Sequence, residues 1–292
     1  MLKVHKIAEI YNLKLSGNLK NAEINNINSL DNQKIDGLSW IKNQKSLNKV
    51  KKGFFIVSDN LSIKKKNNVV YLITNQSPKI IFSKIITDFF SPKIDYYLKN
   101  CISEHLKNEN IKISENVFIG ENVSIGDGTI VYPNVVIEAN TVIGNNCIIK
   151  SHVSLGTEGL GFELDKIINQ LVKFPQLGNV VLENNIDIGP NSTVRRATLD
   201  STIIKSGSKI GSLVNIGHNS EIGKNCILTC NVITCGSSKI GDNTFIGVNS
   251  VIKNGVKVGS NSIIGMGSIV TKELKSNIIA YGSPAKEIGK KI

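Results

Sequence analysis

His218 lies in Ile216-Gly217-His218-Asn219, and Gly236 follows 18 residues later in Cys235-Gly236-Ser237-Ser238. A histidine can take a proton from an attacking amine or hydroxyl, and a glycine leaves its backbone N–H open to a developing oxyanion. Placed side by side, the two supply the minimum for acyl transfer. The plain alternative for His218 is a solvated turn histidine. Zinc chemistry of the carbonic anhydrase kind needs three histidines around a metal, and the repeats described below contain only His152 and His218. The five cysteines, at 101, 147, 226, 230 and 235, include no CxxC pair. Three thiols at 226, 230 and 235 without a nearby fourth ligand make a poor zinc site, so small buried reduced thiols are expected, and no metal.

What must hold such residues in place is a repeat. From Ile113 an aliphatic residue returns every six positions through Ile119, Ile125, Val131, Ile137, Ile143, Ile149 and Leu155. Four positions further on stands a small or branched residue, as at Val117, Thr129, Thr141 and Cys147. A second run starts at Leu182, Ile188 and Val194, shifts by four residues, and resumes at Ile204. It continues in sixes to Val270, with Thr234 as the one polar exception. A helix repeats at 3.6 and a strand at 2, so a sustained six fits a parallel β-helix, one short strand and a turn per hexad. Ile and Val stack in a narrow prism with little room for rings, which agrees with 40% hydrophobic but only 5% aromatic residues. Gly, Asn and Asp suit turns that need positive φ.

The pattern resembles hexapeptide-repeat proteins, and that resemblance implies a left-handed helix with three hexads per coil. Twenty-three hexads would then make between seven and eight coils, roughly 35 Å long at about 4.8 Å per coil. One coil is 18 residues, so Gly236 is expected directly beside His218 on the next rung, about 5 Å away.

The fold expected is mainly β: a small N-terminal α/β domain over residues 1–100, a β-helix over 101–270 carrying a loop at 157–179, and a tail over 271–292. The tail is expected to cap the last coil irregularly. A second, short insertion falls near Leu199-Asp200-Ser201-Thr202. In the first hundred residues Leu2–Tyr11 and Pro78–Phe90 read as helices, Ala22–Asn28 and Gly53–Ser58 as strands, and Ser91–Glu109 as a linker. The net charge of +12 is uneven, because residues 1–107 hold 18 Lys and 8 acids, a balance of +10. That suits a phosphate-bearing ligand. Lys64-Lys65-Lys66 has no accompanying nucleic-acid motif and reads as a solvated turn. The longest apolar runs, such as Val69–Ile73, are far shorter than the roughly 20 residues that span a bilayer. Met1–Ile10 carries Lys3, His5, Lys6 and Glu9 and has no signal-peptide apolar stretch. A cytoplasmic protein is therefore expected.

Three stretches carry a closer resemblance: Gly156-Thr157-Glu158-Gly159-Leu160-Gly161-Phe162, Phe174-Pro175-Gln176-Leu177-Gly178 and Leu213-Val214-Asn215-Ile216-Gly217-His218-Asn219. Together they resemble the UDP-3-O-acylglucosamine N-acyltransferases of lipid A synthesis. The segment Gly37-Leu38-Ser39-Trp40-Ile41-Lys42-Asn43 is similar to that family's nucleotide-binding stretch. The resemblance implies His218 as general base and Gly236 as oxyanion donor, with Trp40 stacking on the base of the nucleotide and Asn43 as a polar contact. Gly159, Phe162, Asn215 and Asn219 would line the substrate. The alternative for Trp40, the only Trp, is a core aromatic.

The chain also departs from that family. Its second base-stacking tyrosine falls at Ser46, its Asp before the histidine at Gly211, and its second histidine at Gly255. In place of a helical carrier-protein-binding extension stands Ile279-Ala280-Tyr281-Gly282-Ser283-Pro284-Ala285-Lys286, similar to the tail of enzymes that use coenzyme A. In those the tail borders the coenzyme, so Gly282 and Lys286 become candidate contacts to it. The first expectation is N-acylation of a dTDP- or UDP-linked amino sugar for a surface polysaccharide, with acyl-CoA as co-substrate and no permanent cofactor. The second is the lipid A reaction itself, fed by acyl carrier protein. The third is a carbohydrate-binding β-helix without catalysis. Hexapeptide acyltransferases form trimers with sites between columns, and the resemblance implies a homotrimer here.

Overall fold

A computed structural model describes residues 2–17, 22–91 and 110–291. The linker beyond Ser91, the boundary at residue 100 and Cys101 lie outside the described residues. The described chain forms two compact units, Met1–Ser91 with Leu160–Pro175, and Pro92–Gly159 with Gln176–Ile292.

The first unit is built on a five-stranded sheet. In chain order its elements are β1 (Leu2–Lys3), α1 (Val4–Ile10), β2 (Lys14–Ser16), β3 (Glu23–Ile24), β4 (Asn26–Ile27), β5 (Gly37–Trp40), α2 (Gln44–Leu47), β6 (Gly53–Ser58), β7 (Val69–Thr74) and α3 (Pro78–Phe89). The sheet order is β2-β7-β6-β5-β4, with β2 antiparallel to β7 and the remaining pairs parallel. Parallel strands covered on both faces read as unbroken apolar runs. That explains Phe54-Phe55-Ile56-Val57 and Val69-Val70-Tyr71-Leu72, all buried. One face packs on α3 through Ile81, Phe82 and Ile85, and the other on Ile41, Leu47 and Val50. Pro78 sits in the first turn of α3, where its missing N–H costs nothing.

The insertion at 157–179, expected as a loop of the β-helix domain, is largely a β-hairpin that counts with the first unit. Its strands Phe162–Asp165 and Gln170–Lys173 pair antiparallel and lie on α3. Lys79 meets Glu163 at 2.6 Å, Lys84 meets Asp165 at 3.1 Å, and Ser83 Oγ donates to the Lys173 carbonyl at 2.6 Å. Polar side chains at 163 and 165 thus face the helix, a choice that the six-residue period cannot reveal.

The second unit is a parallel β-helix with three faces. Strands 18 residues apart pair in register, as in Ile125↔Ile143, Ile130↔Ile148 and Ile137↔Leu155. The register survives both insertions: Ile143 pairs with Leu182 across the first and Val194 with Ile216 across the second. The faces hold seven, eight and ten strands. Every inward Ile, Val or Leu from Ile119 to Val270 is essentially buried. Corners place Asn in the left-handed region, for example Asn122, Asn140, Asn225 and Asn243 with φ between 51° and 64°. The small residue of each hexad closes the corner: Thr129, Ser208 and Ser250 are buried and donate to the carbonyls of Gly144, Gly223 and Gly265. Cys147 and Cys226 take the same place, fully buried, with Sγ on the Glu183 and Gly241 carbonyls. Burial pushes both thiols above the usual range. Cys230 is exposed and Cys235 half-buried, contrary to the expectation of buried thiols.

The end of the chain is not an irregular cap. Ile278–Gly282 extends one face by pairing Ile279 with Ile263, and Ala285–Lys290 folds back antiparallel on it. Thr234, the polar exception, points inward and is 1% exposed, and its Oγ1 is buried with no partner among the described residues. Val has the same shape without the unpaired hydroxyl. Thr234→Val is therefore expected to add about 1 kcal/mol of stability, read as a rise in the thermal unfolding midpoint; a fall would mean that the hydroxyl is satisfied.

Candidate active site

The stacking of rungs brings His218 and Gly236 together. Ile216 and Thr234 are register partners, and two residues later on each rung stand the imidazole and the glycine. A methyl group built on Gly236 would sit 2.5 Å from His218 Nε2 and 2.7 Å from Cε1, so only glycine leaves room for the ring. The Gly236 carbonyl accepts from Gly255 N–H, while its own N–H has no hydrogen-bond partner among the described residues. The imidazole edge thus lies against the α-carbon of a residue whose main-chain N–H has no partner among the described residues, an arrangement open to proton abstraction beside oxyanion binding.

A third side of the ring is closed by the start of the long insertion. A methyl on Gly159 would lie 3.2 Å from His218 Cδ2 and 2.9 Å from Gln176 Oε1. Gln176, 2% exposed, accepts the Gly159 N–H at 2.7 Å, pinning the chain where it leaves the β-helix. The fourth partner is Asn219, whose Oδ1 lies 2.9 Å from His218 Nδ1. The carbonyl oxygen of Asn219, a candidate substrate contact, is engaged by the histidine and by Thr198.

The two insertions are neighbours. Leu177 and Gly178 donate to the Thr198 carbonyl, Asn179 to the Asp200 carbonyl, and Arg196 N–H to the Thr157 carbonyl. Arg196 is 1% exposed, with Nε on the Gly156 carbonyl at 2.5 Å and Nη2 on Glu138 Oε2 at 3.2 Å and the Ala139 carbonyl at 3.4 Å. Arg195 Nη1 reaches the Glu158 carbonyl at 2.7 Å. Desolvation pushes the Glu138 carboxyl up; Arg196 pulls it back down and Glu158 adds to the rise. Neither the repeat nor a motif marks a role for Glu138, Gln176, Arg196 or Thr198 in the sequence. One signal was there to find: Arg195 and Arg196 are the only arginines in a lysine-rich chain, and a planar guanidinium suits buried, multiply bonded sites.

The remaining candidates divide between the units. Asn215 stands on the rung below Thr193, with Oδ1 buried and unpartnered among the described residues. Trp40 and Phe162 belong to the first unit. The Trp40 ring is half-buried, 4.7 Å from Phe82 and 5.4 Å from Phe174 between centroids, an aromatic cluster rather than an isolated platform. Asn43 Oδ1 accepts Ser46 N–H at 3.0 Å and caps α2, so its carbonyl serves the fold. Ser46 lies inside that helix, and its N–H is the group being capped. Phe162 is 46% exposed on the hairpin. Gly282, with φ of +105°, and exposed Lys286 flank the turn of the C-terminal hairpin.

Two repeat families match the β-helix: residues 122–157 fit the bacterial transferase hexapeptide (six repeats), and residues 239–272 the hexapeptide repeat of succinyl-transferase. Over 84 residues the chain is 44% identical to the UDP-3-O-acylglucosamine N-acyltransferase of Campylobacter jejuni (strain RM1221), covering 29% of this chain and 26% of that one. Over 78 residues it is 46% identical to the enzyme of the same name from Bacteroides thetaiotaomicron, covering 27% and 22%. The chain thus spans about a quarter of the length of the curated relatives it matches. Among solved structures, the UDP-N-acetylglucosamine acyltransferase of Francisella novicida is similar in fold, with a TM-score of 0.54, 24% identity, and coverage of 63% of this chain and 67% of that one. The corresponding protein from Campylobacter jejuni gives a TM-score of 0.51 at 21% identity, covering 63% and 74%. The chain carries the hexapeptide repeats of bacterial transferases wound as a parallel β-helix, and its sequence relatives are acyltransferases named for UDP-linked sugars.

Proposed function

We propose that the protein is an N-acyltransferase that moves an acyl group from a thioester to the amino group of a UDP-linked amino sugar. The observation that carries the reading is the His218 ring packed on Gly236, a residue whose N–H has no partner among the described residues. His218 Nε2 takes a proton from the amine as nitrogen attacks the thioester carbon. The carbonyl oxygen becomes an oxyanion, which the Gly236 N–H stabilises. Collapse of the tetrahedral intermediate breaks the C–S bond, the thiolate leaves, and the proton held on His218 passes to sulfur.

The relatives' names support a 3-O-acylglucosamine acceptor over the surface-polysaccharide reading; a hydroxyacyl group on acyl carrier protein is the donor that the family resemblance implies with it. Trp40 and Asn43 are the proposed nucleotide contacts, Asn43 through its amide nitrogen since its oxygen caps α2. Gly282 and Lys286, at the turn of a C-terminal hairpin, favour coenzyme A as the second reading. An open groove of about 400 Å³ lined by Lys205, Lys239, Lys257 and Lys275 among the acids Glu221, Asp242 and Glu273 suits a phosphate-bearing donor of either kind. Exposed apolar residues on the column, among them Ile227, Phe245, Ile233, Ile269 and Met266, support a homotrimer. No helix among the described residues is long and apolar enough to cross a membrane. Nucleotide sugars and acyl thioesters are cytoplasmic metabolites, and the reading places the reaction there.

Purified protein offered acetyl-CoA, 3-hydroxybutyryl-CoA and long-chain 3-hydroxyacyl carrier protein, each with a UDP-linked amino sugar, separates the readings. The expected result is free thiol released only from the carrier-protein thioester. Release from a coenzyme A thioester would establish the second reading. Release from none, with nucleotide sugars still raising the melting temperature, would establish a binding protein.

A further inference from the structure

We infer that Asn219 is a positioning residue for His218, and that the four-residue insertion around Thr198 serves to hold it. The inference rests on the proposed role of His218 as base. Asn219 Oδ1 is 3.1 Å from Thr198 N–H, 2.9 Å from Thr198 Oγ1 and 2.9 Å from His218 Nδ1. A main-chain N–H can only donate, so the atom facing Thr198 is the amide oxygen, and the orientation of the amide is settled. The same oxygen faces the imidazole, so Nδ1 must carry a proton and donate it. The neutral ring then has its lone pair on Nε2, the nitrogen that lies against Gly236.

The rest of Asn219 is equally constrained. Its N–H donates to Thr202 Oγ1 at 2.9 Å, and its φ of +58° is one that Asn tolerates better than most side chains. Thr198 lies in the stretch 196–200 between two strands, where ten residues separate Val194 from Ile204 in place of the regular six. The phase shift between Val194 and Ile204 therefore has a chemical consequence. It fixes the tautomer of a histidine whose expected Asp partner is Gly211.

The test uses full-length protein labelled with ¹⁵N-histidine, the His218 signals being assigned by their loss in His218→Gln. The parent is expected to show protonated Nδ1 and unprotonated Nε2 at neutral ring charge, with no substrate present. Asn219→Gly keeps the left-handed backbone and removes the acceptor; it should shift the ring towards the Nε2–H tautomer and lower kcat roughly 10²-fold with KM unchanged. Asn219→Asp keeps an acceptor for both donors and should restore kcat to within a few-fold of the parent. Unchanged tautomer and kcat in Asn219→Gly would overturn the inference, as would a raised KM for the sugar at unchanged kcat, which marks a substrate contact. Because the tautomer is read without turnover, the inference and the proposed reaction can fail separately.

Discussion

Replacing His218 by alanine is expected to lower kcat about 10²–10⁴-fold while leaving KM for the nucleotide sugar and the thermal midpoint nearly unchanged. The size follows from what is removed. An amine that attacks a thioester must shed a proton, and without Nε2 that proton goes to water. The Gly236 N–H and the binding of both reactants persist, so a residual rate above background should remain. The fold should not notice. The ring is half-buried at a corner, and the inward Ile216 and Thr234 that stack the rungs are untouched. Steady-state kinetics with a calorimetric scan check both halves; turnover equal to the parent would remove His218 from the mechanism.

Arg196→Met should cost about 3–5 kcal/mol of stability, the range for breaking a buried ion pair by removing one partner. Methionine approximates the length of the side chain but makes none of the bonds to Glu138, Gly156 and Ala139. The loss has a signed pH dependence. Desolvation already holds the Glu138 carboxyl above its usual value, and Arg196 is the partner that pulls it down. Without Arg196 the folded-state value rises further. A carboxyl raised in the folded state is stabilising while protonated, and that contribution is lost as pH climbs through the raised value. The variant should therefore be closest to the parent near pH 4–5 and furthest from it at pH 8. Denaturant unfolding across that range measures it; a deficit that shrinks with rising pH would show that Glu138 is not left unpaired.

Much of this was written in the chain. The six-residue period pointed to a parallel β-helix because one aliphatic side chain per hexad enters the prism; the three faces came from the resemblance to hexapeptide-repeat proteins, and pairing at 18-residue spacing bears them out. Gly53–Ser58 and Pro78–Phe90 were legible for a similar reason: each shows a single clear pattern. The strands Gly37–Trp40 and Val69–Thr74 were missed, since a motif reading absorbed the first and the second is a buried parallel strand with no alternation. The pairing of His218 with Gly236 followed from counting residues per coil. The Asn219–Thr198 contact did not, because it depends on how an insertion folds back over a corner, which no period encodes. Nor could spacing show that the hairpin at 160–175 would turn Glu163 and Asp165 towards the lysines of α3.

The reaction proposed for His218 and Gly236 makes an amide bond on a UDP-linked amino sugar at the expense of a thioester. Incubation with both reactants, followed by mass spectrometry before and after mild alkali, reads it directly. One acyl group gained per sugar and one thiol freed for each are expected, with the added acyl group retained after alkali while the 3-O ester already on the acceptor is lost, because amides survive mild alkali and oxygen esters do not. Loss of the added acyl group in alkali would put it on oxygen, and an unchanged sugar mass before alkali would contradict N-acylation altogether.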